Sequence, residues 1–470
     1  MNNKTTSFNH LTNQMGRFWR SHNSKIILLL LLSVFMAYTV FIAINLKPGI
    51  IPDEPAHFIF SKHYSSTWGI PPDVPETYSL GWYIYRNPFL YHWVNGRIIN
   101  FLEFIKPNIS NWQILVALRL VNVIFGLCTV VLCFLLSIEI IKHKWLSLLP
   151  VFLLTNTLMF VFLVGGVNYD NLANLFSMAG LFFFIRVLKN KKFITNSLGW
   201  TISIFTGTLV KFTILPLALF MGVIWIIYVI KNKEIIFPIV FSIKRDLFLG
   251  FLLLIIVLGN LVIYGYNLLT YQSITPDCMD ILSTEQCRIS PYAIRYQEFA
   301  LDQKLTLTES INLGYPDPLS YLIDSWIPNV LFRIYGIAGH LAYWPNYIVI
   351  TLYRLLLFWI VLLCFKYGGR PSFLIISSLL VFLFYTIVLF IMNYNSELIY
   401  GFRAITLQGR YFFPVIGLIY CLYAYLLLNI PNKKIFVFTF IGTIILFFIG
   451  GPINFIQQFD LFFIEWFLVR

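Results

Sequence analysis

The sequence predicts an all-α polytopic membrane protein with about eleven transmembrane helices, and three observations predict it. Of 470 residues, 59% are hydrophobic and only 11% charged, and the mean hydropathy is +0.79, far from globular averages. The apolar residues fall in unbroken blocks of about 20, the length that crosses a hydrocarbon core of ~30 Å. Those blocks do not alternate: IILLLLLSVFMAYTVFIAINL (26–46) has no polar face of the kind a transmembrane β-barrel strand needs. Barrel, collagen-like and disordered classes are excluded together.

Taken in order, residues 1–25 form a basic tail and 26–46 the first span. No small-residue cleavage site follows, because Asn45-Leu46-Lys47-Pro48 comes next, so the span reads as a retained anchor. An outer loop covers 47–113. Residues 114–268 make a six-helix segment with spans at 114–140, 146–165, 171–188, 198–211, 213–230 and 246–268. A second outer loop covers 269–345, and the C-terminal part, 346–470, holds spans at 346–366, 371–392, 411–430 and 435–456. This arrangement puts Lys4, Arg17, Arg20, Lys25, Lys142, Lys144, Lys189, Lys191, Lys192, Lys231, Lys233, Lys244, Arg245, Lys366, Arg370, Lys433 and Lys434 on one side, in the tail and short connections. By the positive-inside rule that side is cytoplasmic. The net charge of +13 is therefore a topology signal, and it implies no nucleic-acid partner. Most acids fall outside, including Asp53, Glu54, Asp170, Glu397 and eight between Asp277 and Asp324.

The outer loops have structure of their own. In PDEPAHFIFSKHYSS (52–66), Asp53 stands as an N-cap and Pro55 in the first turn, where its missing N–H costs nothing; a short helix should leave the membrane surface there. NPFLYHWVNGRIINFLEFI (87–105) and SYLIDSWIPNVLFRIYGIAGHLAYW (320–344) mix aromatics with sparse charge, as interfacial helices do. Cys128, Cys133, Cys364 and Cys421 lie in apolar spans, where a thiol behaves as a small hydrophobe. Cys278 and Cys287 share the second outer loop, and a disulfide between them is expected in an oxidising compartment such as a bacterial periplasm.

No phosphate-binding GxxxxGKS/T loop exists in the chain, and no internal repeat marks a transporter of inverted halves. Three ionisable residues remain inside spans, where burial makes them functional candidates. Counted at ~1.5 Å per residue, Arg119 lies about 8 Å deep from the outer end, Arg354 about 12 Å, and Lys211 at the boundary. Arg403 and Arg410 flank the outer end of the tenth span, so five cations can converge where a phosphate at the membrane surface would sit. Snorkelling, or pairing with Asp170, is the alternative. Asp53 and His57 are four residues apart on one helix face and can share a proton or a metal ion; a capping aspartate beside an interfacial histidine explains the same spacing.

IPDEPAHF (51–58) and LQGRYFFP (407–414) resemble the two signatures of a family of uncharacterised bacterial membrane proteins with a PDEPAHF motif after the first span. The layout as a whole is similar to the GT-C glycosyltransferase superfamily, through ALRLVNVIFGLCTVVLCFLL (117–136), VNYDNLANLFSMAGLFFF (167–184) and TGTLVKFTILPLAL (206–219). The resemblance implies an inverting transferase of the bacterial inner membrane. It would take a sugar from a polyprenyl-phosphate (undecaprenyl-phosphate) donor on the periplasmic side and pass it to an envelope glycan, O-antigen or lipid-linked acceptor. It further implies that Asp53, with Glu54 adjoining, acts as general base, that Lys211, Arg410, Arg119, Arg403 and Arg354 supply cations for the donor phosphate, that Asp53, Glu54 and His57 could supply ligands to a divalent metal such as Mg or Mn, and that Asp170 is a further substrate or metal contact. Metal use does not follow from the residues. A lipid-linked sugar flippase and a polysaccharide polymerase are the rival readings: the first would use the same cations to conduct a phosphate headgroup without an outer base, and the second would hold two lipid-linked chains with arginines.

Overall fold

The computed structural model describes residues 4–71, 79–80, 88–236, 243–276, 278–288, 304–314, 316–338, 342–343, 346–401, 407–457 and 464–468. Among them, nine helices are long and apolar enough to cross a membrane: Ser24–Asn45, Asn111–Ile141, Asp170–Leu188, Phe212–Lys231, Lys244–Tyr271, Tyr347–Tyr367, Phe373–Tyr400, Gly409–Leu428 and Lys433–Gln457. The pair Leu146–Thr155 and Leu158–Val164, bent by 66°, makes ten if the two halves form one span. The difference from the eleven expected is one 18-residue helix, Phe193–Val210, whose polar content keeps it out of the nine. Its hydroxyls bond their own helix, Thr201 to the Ser197 carbonyl, Ser203 to Gly199 and Thr206 to Ile202, which lets polar side chains sit in an apolar setting.

We label the elements used below in chain order. They are α1 (Lys4–Asn45), α2 (Glu54–Ser65), α3 (Leu90–Ile105), α4 (Asn111–Ile141), α5 (Leu149–Thr155), α6 (Leu158–Val164), α7 (Asp170–Leu188), α8 (Phe193–Val210), α9 (Leu215–Lys231), α10 (Ile327–Tyr335), α11 (Tyr347–Tyr367), α12 (Phe373–Tyr400) and α13 (Phe413–Leu428). Helix α4 starts on a capping box, Ser110 accepting from the Gln113 amide while Gln113 returns the bond, so its register at the outer surface is set by sequence. The bundle is centred on α7 and α13. Of their most apolar windows 72% is buried, against 17% for Lys244–Tyr271 at the periphery. Helices α4 and α8 pack along α7, and α13 packs on α4, α5 and α7.

The outer elements follow the expectation with two differences. Helices α2 and α3 pack together, and α3 leaves Phe101, Phe104 and Ile105 exposed, as an interfacial helix should. The segment 320–344 is not one helix: α10 stops at Tyr335, where Gly336 takes an extended conformation, and Ile337–Ala338 then pairs antiparallel with Ala342–Tyr343. Asp53 differs as well. It precedes α2 at the N-cap position, but its backbone is left-handed (φ 58°) and its side chain makes no capping bond. The expected cap is absent because the carboxylate is used elsewhere. In the second loop Cys287 is disulfide-bonded, while Cys128, Cys133, Cys364 and Cys421 are free thiols; the side chain of Cys278 lies outside the described residues.

Candidate functional site

The first outer loop is held from both sides before any chemistry is considered. After Leu46, the chain pairs with the C-terminal segment, the Lys47 amide donating to the Trp466 carbonyl at 2.8 Å and the Leu468 amide to the Asn45 carbonyl at 2.7 Å. From the α6–α7 turn, the Asn168 amide group donates to the Pro52 carbonyl at 2.9 Å and the Val167 N–H to Glu54 Oε1 at 3.0 Å. That turn lies so close that a Cβ on Gly166 would fall 2.4 Å from Ile51; only glycine permits the approach. Residues 52–54 are therefore clamped onto the start of α7.

Within this clamp the two adjacent acids part company. Glu54 is buried, and its carboxylate takes Nε and Nη2 of Arg119 at 2.8 and 2.5 Å in a bidentate pair. Arg119 spends its remaining donors on the carbonyls of Ala43, Leu46 and Lys47. Glu54 was expected beside the base and Arg119 on a phosphate; instead they tie α4 to the end of α1, and Arg119 has no donor left for a ligand. Asp53 turns the opposite way and meets Arg410.

Arg410 opens the second centre. It stands in a short 3₁₀ turn, Gly409–Phe412, ahead of α13, and Gly409 sits where an added Cβ would be 2.6 Å from the Arg333 backbone of α10. That contact seats the guanidinium inside the bundle, where it is 6% exposed. It donates to Asp53 through Nη2 and reaches Asp170 Oδ2 through Nε at 3.5 Å. Its Nη1 is buried and has no hydrogen-bond partner. Asp170, first residue of α7, pairs through Oδ1 with Lys211 at the end of α8, which fixes α7 and α8 as antiparallel neighbours with their charged ends together. The Lys211 ammonium is also boxed between the rings of Tyr169 and Tyr411, at 4.6 and 4.4 Å from their centroids, a geometry that stabilises a desolvated cation.

On the other side of Tyr169 lies a histidine pair that the sequence does not announce. His57 Nδ1 faces His92 Nε2 of α3 at 3.0 Å, and the His57 and Tyr169 ring centroids are 4.5 Å apart. His57 Nε2 is buried without a partner. Burial pushes His57 down to about 3, and burial with its neighbour holds His92 well below the ordinary imidazole range, so both rings are neutral near pH 7. Tyr91 of α3 donates to Asn122 at 3.1 Å, and Asn171 of α7 shares that oxygen at 3.0 Å, locking α3, α4 and α7.

The structure thus brings Asp53, Asp170, Lys211, Arg410 and His57 to one place, puts Glu54 and Arg119 in a separate closed pair, and sets Arg354 apart. Arg354 lies against Phe332 and Tyr347, at 5.9 and 5.8 Å from their ring centroids. Arg403 lies outside the described residues. Among the described residues no three His, Cys, Asp or Glu side chains converge as a metal-ligand set. Asp53 and Glu54 diverge and Glu54 is fully engaged, so the donor set expected for a divalent ion does not form. Reasoning from sequence missed His92, Tyr169 and Tyr411. The two tyrosines do carry a signal: each directly adjoins a charged residue at the outer end of a buried span.

A multi-pass helical membrane protein with two arginine-centred ion clusters beside the loop that follows its first span is the class that fold and site define. No protein-family model matches the sequence, and no curated protein matches it. Among solved structures, the chain is similar to ArnT from Cupriavidus metallidurans bound to undecaprenyl phosphate, with 13% identity and a TM-score of 0.47 over 88% of this chain. It is also similar to the apo state of that protein, with 13% identity and a TM-score of 0.42 over 88% of this chain. In both comparisons it spans 62% of the ArnT chain. At these scores the likeness is loose.

Proposed function

We propose that this protein is an inverting membrane glycosyltransferase that moves a sugar from a polyprenyl-phosphate donor to an envelope-glycan or lipid-linked acceptor at the outer face of a bacterial inner membrane. The observation that carries the reading is Arg410, a buried guanidinium with an unmatched N–H directly beside a partly exposed carboxylate, Asp53. Buried polar groups rarely stay unpaired, and a phosphate is the partner a guanidinium fork fits best. The positive-inside pattern supports an outward-facing site with a cytoplasmic N-terminus, and the resemblance of the layout, through 117–136, 167–184 and 206–219, to the GT-C superfamily supports the reaction class.

In this mechanism Asp53 accepts the proton of the acceptor hydroxyl as its oxygen attacks the anomeric carbon. The bond from that carbon to the phosphate oxygen breaks on the opposite face, configuration inverts, and the electron pair leaves with the polyprenyl phosphate. Arg410 stabilises the charge that grows there, and Lys211 adds to the field while orienting Asp170. No metal step is invoked, because among the described residues the acids do not converge as a ligand set. A flippase would gain nothing from a carboxylate held against its phosphate cation, which favours the transferase.

The test is transfer by the purified protein in nanodiscs from a panel of radiolabelled polyprenyl-phosphate sugars to extracted envelope glycan. Wild type should transfer one of them, and Asp53→Asn should lower turnover by about 10²- to 10⁴-fold while retaining the donor. Near-normal transfer by Asp53→Asn would sink the base assignment. Movement of the lipid-linked sugar between leaflets without its consumption would hand the function to transport.

A further inference from the structure

We infer that Asp53 and the donor phosphate compete for the same guanidinium, so that the base is held in an ion pair at rest and is released when donor binds Arg410. The inference rests on the donor-binding reading above and adds an order to it: polyprenyl phosphate first, acceptor activation second.

Two carboxylates contact Arg410, and their surroundings decide which of them yields. Asp170 is 3% exposed at its side chain and is tied to Lys211 as well as to Arg410. Moving it would strand a buried ammonium between Tyr169 and Tyr411. Asp53 is 35% exposed, so its carboxylate can be rehydrated when it leaves the guanidinium, whereas the 6% exposed Arg410 cannot. Arg410 therefore waits for a replacement anion, and Asp53 is the ligand that exchanges.

The backbone points the same way. Asp53 is left-handed at φ 58°, a conformation uncommon for non-glycine residues but one that aspartate adopts more readily than most. Its side chain makes no capping bond to α2, although an aspartate at that position ordinarily caps the helix. The first turn of α2 offers it little, since the Glu54 N–H already donates to the Ile51 carbonyl and Pro55 has no N–H; on release its destination is water or the proton of an acceptor hydroxyl. Glu54 and Pro52, held by Arg119, Val167 and Asn168, stay in place, so the exchange is confined to one side chain. The carboxylate that neutralises the phosphate cation in the resting enzyme is the one that becomes basic once phosphate has taken its place.

The experiment measures binding of a polyprenyl monophosphate, without sugar, to the full-length protein in nanodiscs. If Asp53 competes, Asp53→Asn binds the probe about tenfold more tightly than wild type, the range a part-buried ion pair spans, and Asp53→Ser does the same. Equal or weaker binding by both variants, each shown to be folded by its thermal transition, would overturn the competition. Absence of binding by wild type and both variants would instead remove the donor-phosphate reading itself.

Discussion

Glu54 and Asp53 are neighbours in the chain, each paired with an arginine, and the two pairs have opposite physical characters. Glu54 and Arg119 are 1% and 0% exposed, meet in a bidentate fork, and close every other donor of the arginine on backbone carbonyls. Asp53 is partly exposed, and its arginine keeps an unmatched N–H. The difference teaches that the charge pair does not itself mark a site. What matters is whether the pair is complete. A complete buried pair is a rivet, since removing one partner leaves a charge that nothing can solvate; an incomplete one at the edge of solvent is a receptor for something else.

The largest effects should separate the two pairs. Glu54→Gln keeps the shape but leaves Arg119 uncompensated, and it should lower stability by about 3–5 kcal/mol, read as a fall in thermal midpoint and loss of monodisperse protein in detergent. Asp53→Asn should leave the midpoint nearly unchanged, because Arg410 keeps Asp170, while abolishing transfer as described above. The comparison breaks if Glu54→Gln folds normally and loses only turnover, for then the buried acid would belong to the chemistry.

A smaller effect concerns the histidine pair behind Asp53. An unfolded imidazole titrates near 6.5, while folded His57 is pushed down to about 3 and His92 lies well below its usual range. Between those values the unfolded chain binds more protons. Stability should therefore be full above pH 6.5 and fall as pH drops below it, by about 1.4 kcal/mol per pH unit for each ring. The groups acting on His57 are Asp53, which favours the charged ring, and Arg410 and Lys211, which oppose it. His57→Gln should remove one of the two contributions and flatten the acid limb of the thermal-midpoint curve; an unchanged limb would show that the rings are not the buried neutral pair seen here.

Much of this was legible in the sequence because membrane burial leaves a coarse, strong signal. Uninterrupted apolar blocks gave the span positions, and the basic residues ordered their sides. Parity then put Asp53, Asp170, Lys211 and Arg410 on one face, where the structure joins them. Helix α8 was visible for the same reason even though Thr and Ser dilute it. What could not be read was direction. Successive residues at the start of a helix point about 100° apart, so Asp53 and Glu54 had to differ, but nothing local says which one meets which arginine. Nor does α2 announce that α3 will lie against it and bring His92 to His57 across 35 positions. The expected Asp53 cap failed because a local rule lost to a charged partner 357 residues away.

The smallest expected effect sharpens the comparison from outside. Arg354 looked in sequence like one of five members of the phosphate set, since it lies in the outer half of a span, yet in the structure its guanidinium rests against Phe332 and Tyr347, away from the ion pairs that join Asp53, Asp170, Lys211 and Arg410. Substitutions without shared partners act independently. Arg354→Gln should thus change polyprenyl-phosphate affinity by less than about twofold, within the additivity of separate sites. Arg410→Gln, which leaves two carboxylates facing each other without their guanidinium, should weaken it by about thirtyfold or more. Equal losses from the two variants would mean that donor binding answers to the total positive charge of the outer leaflet. Asp53 would then be one acid among several, and the completeness of an ion pair would no longer identify the site.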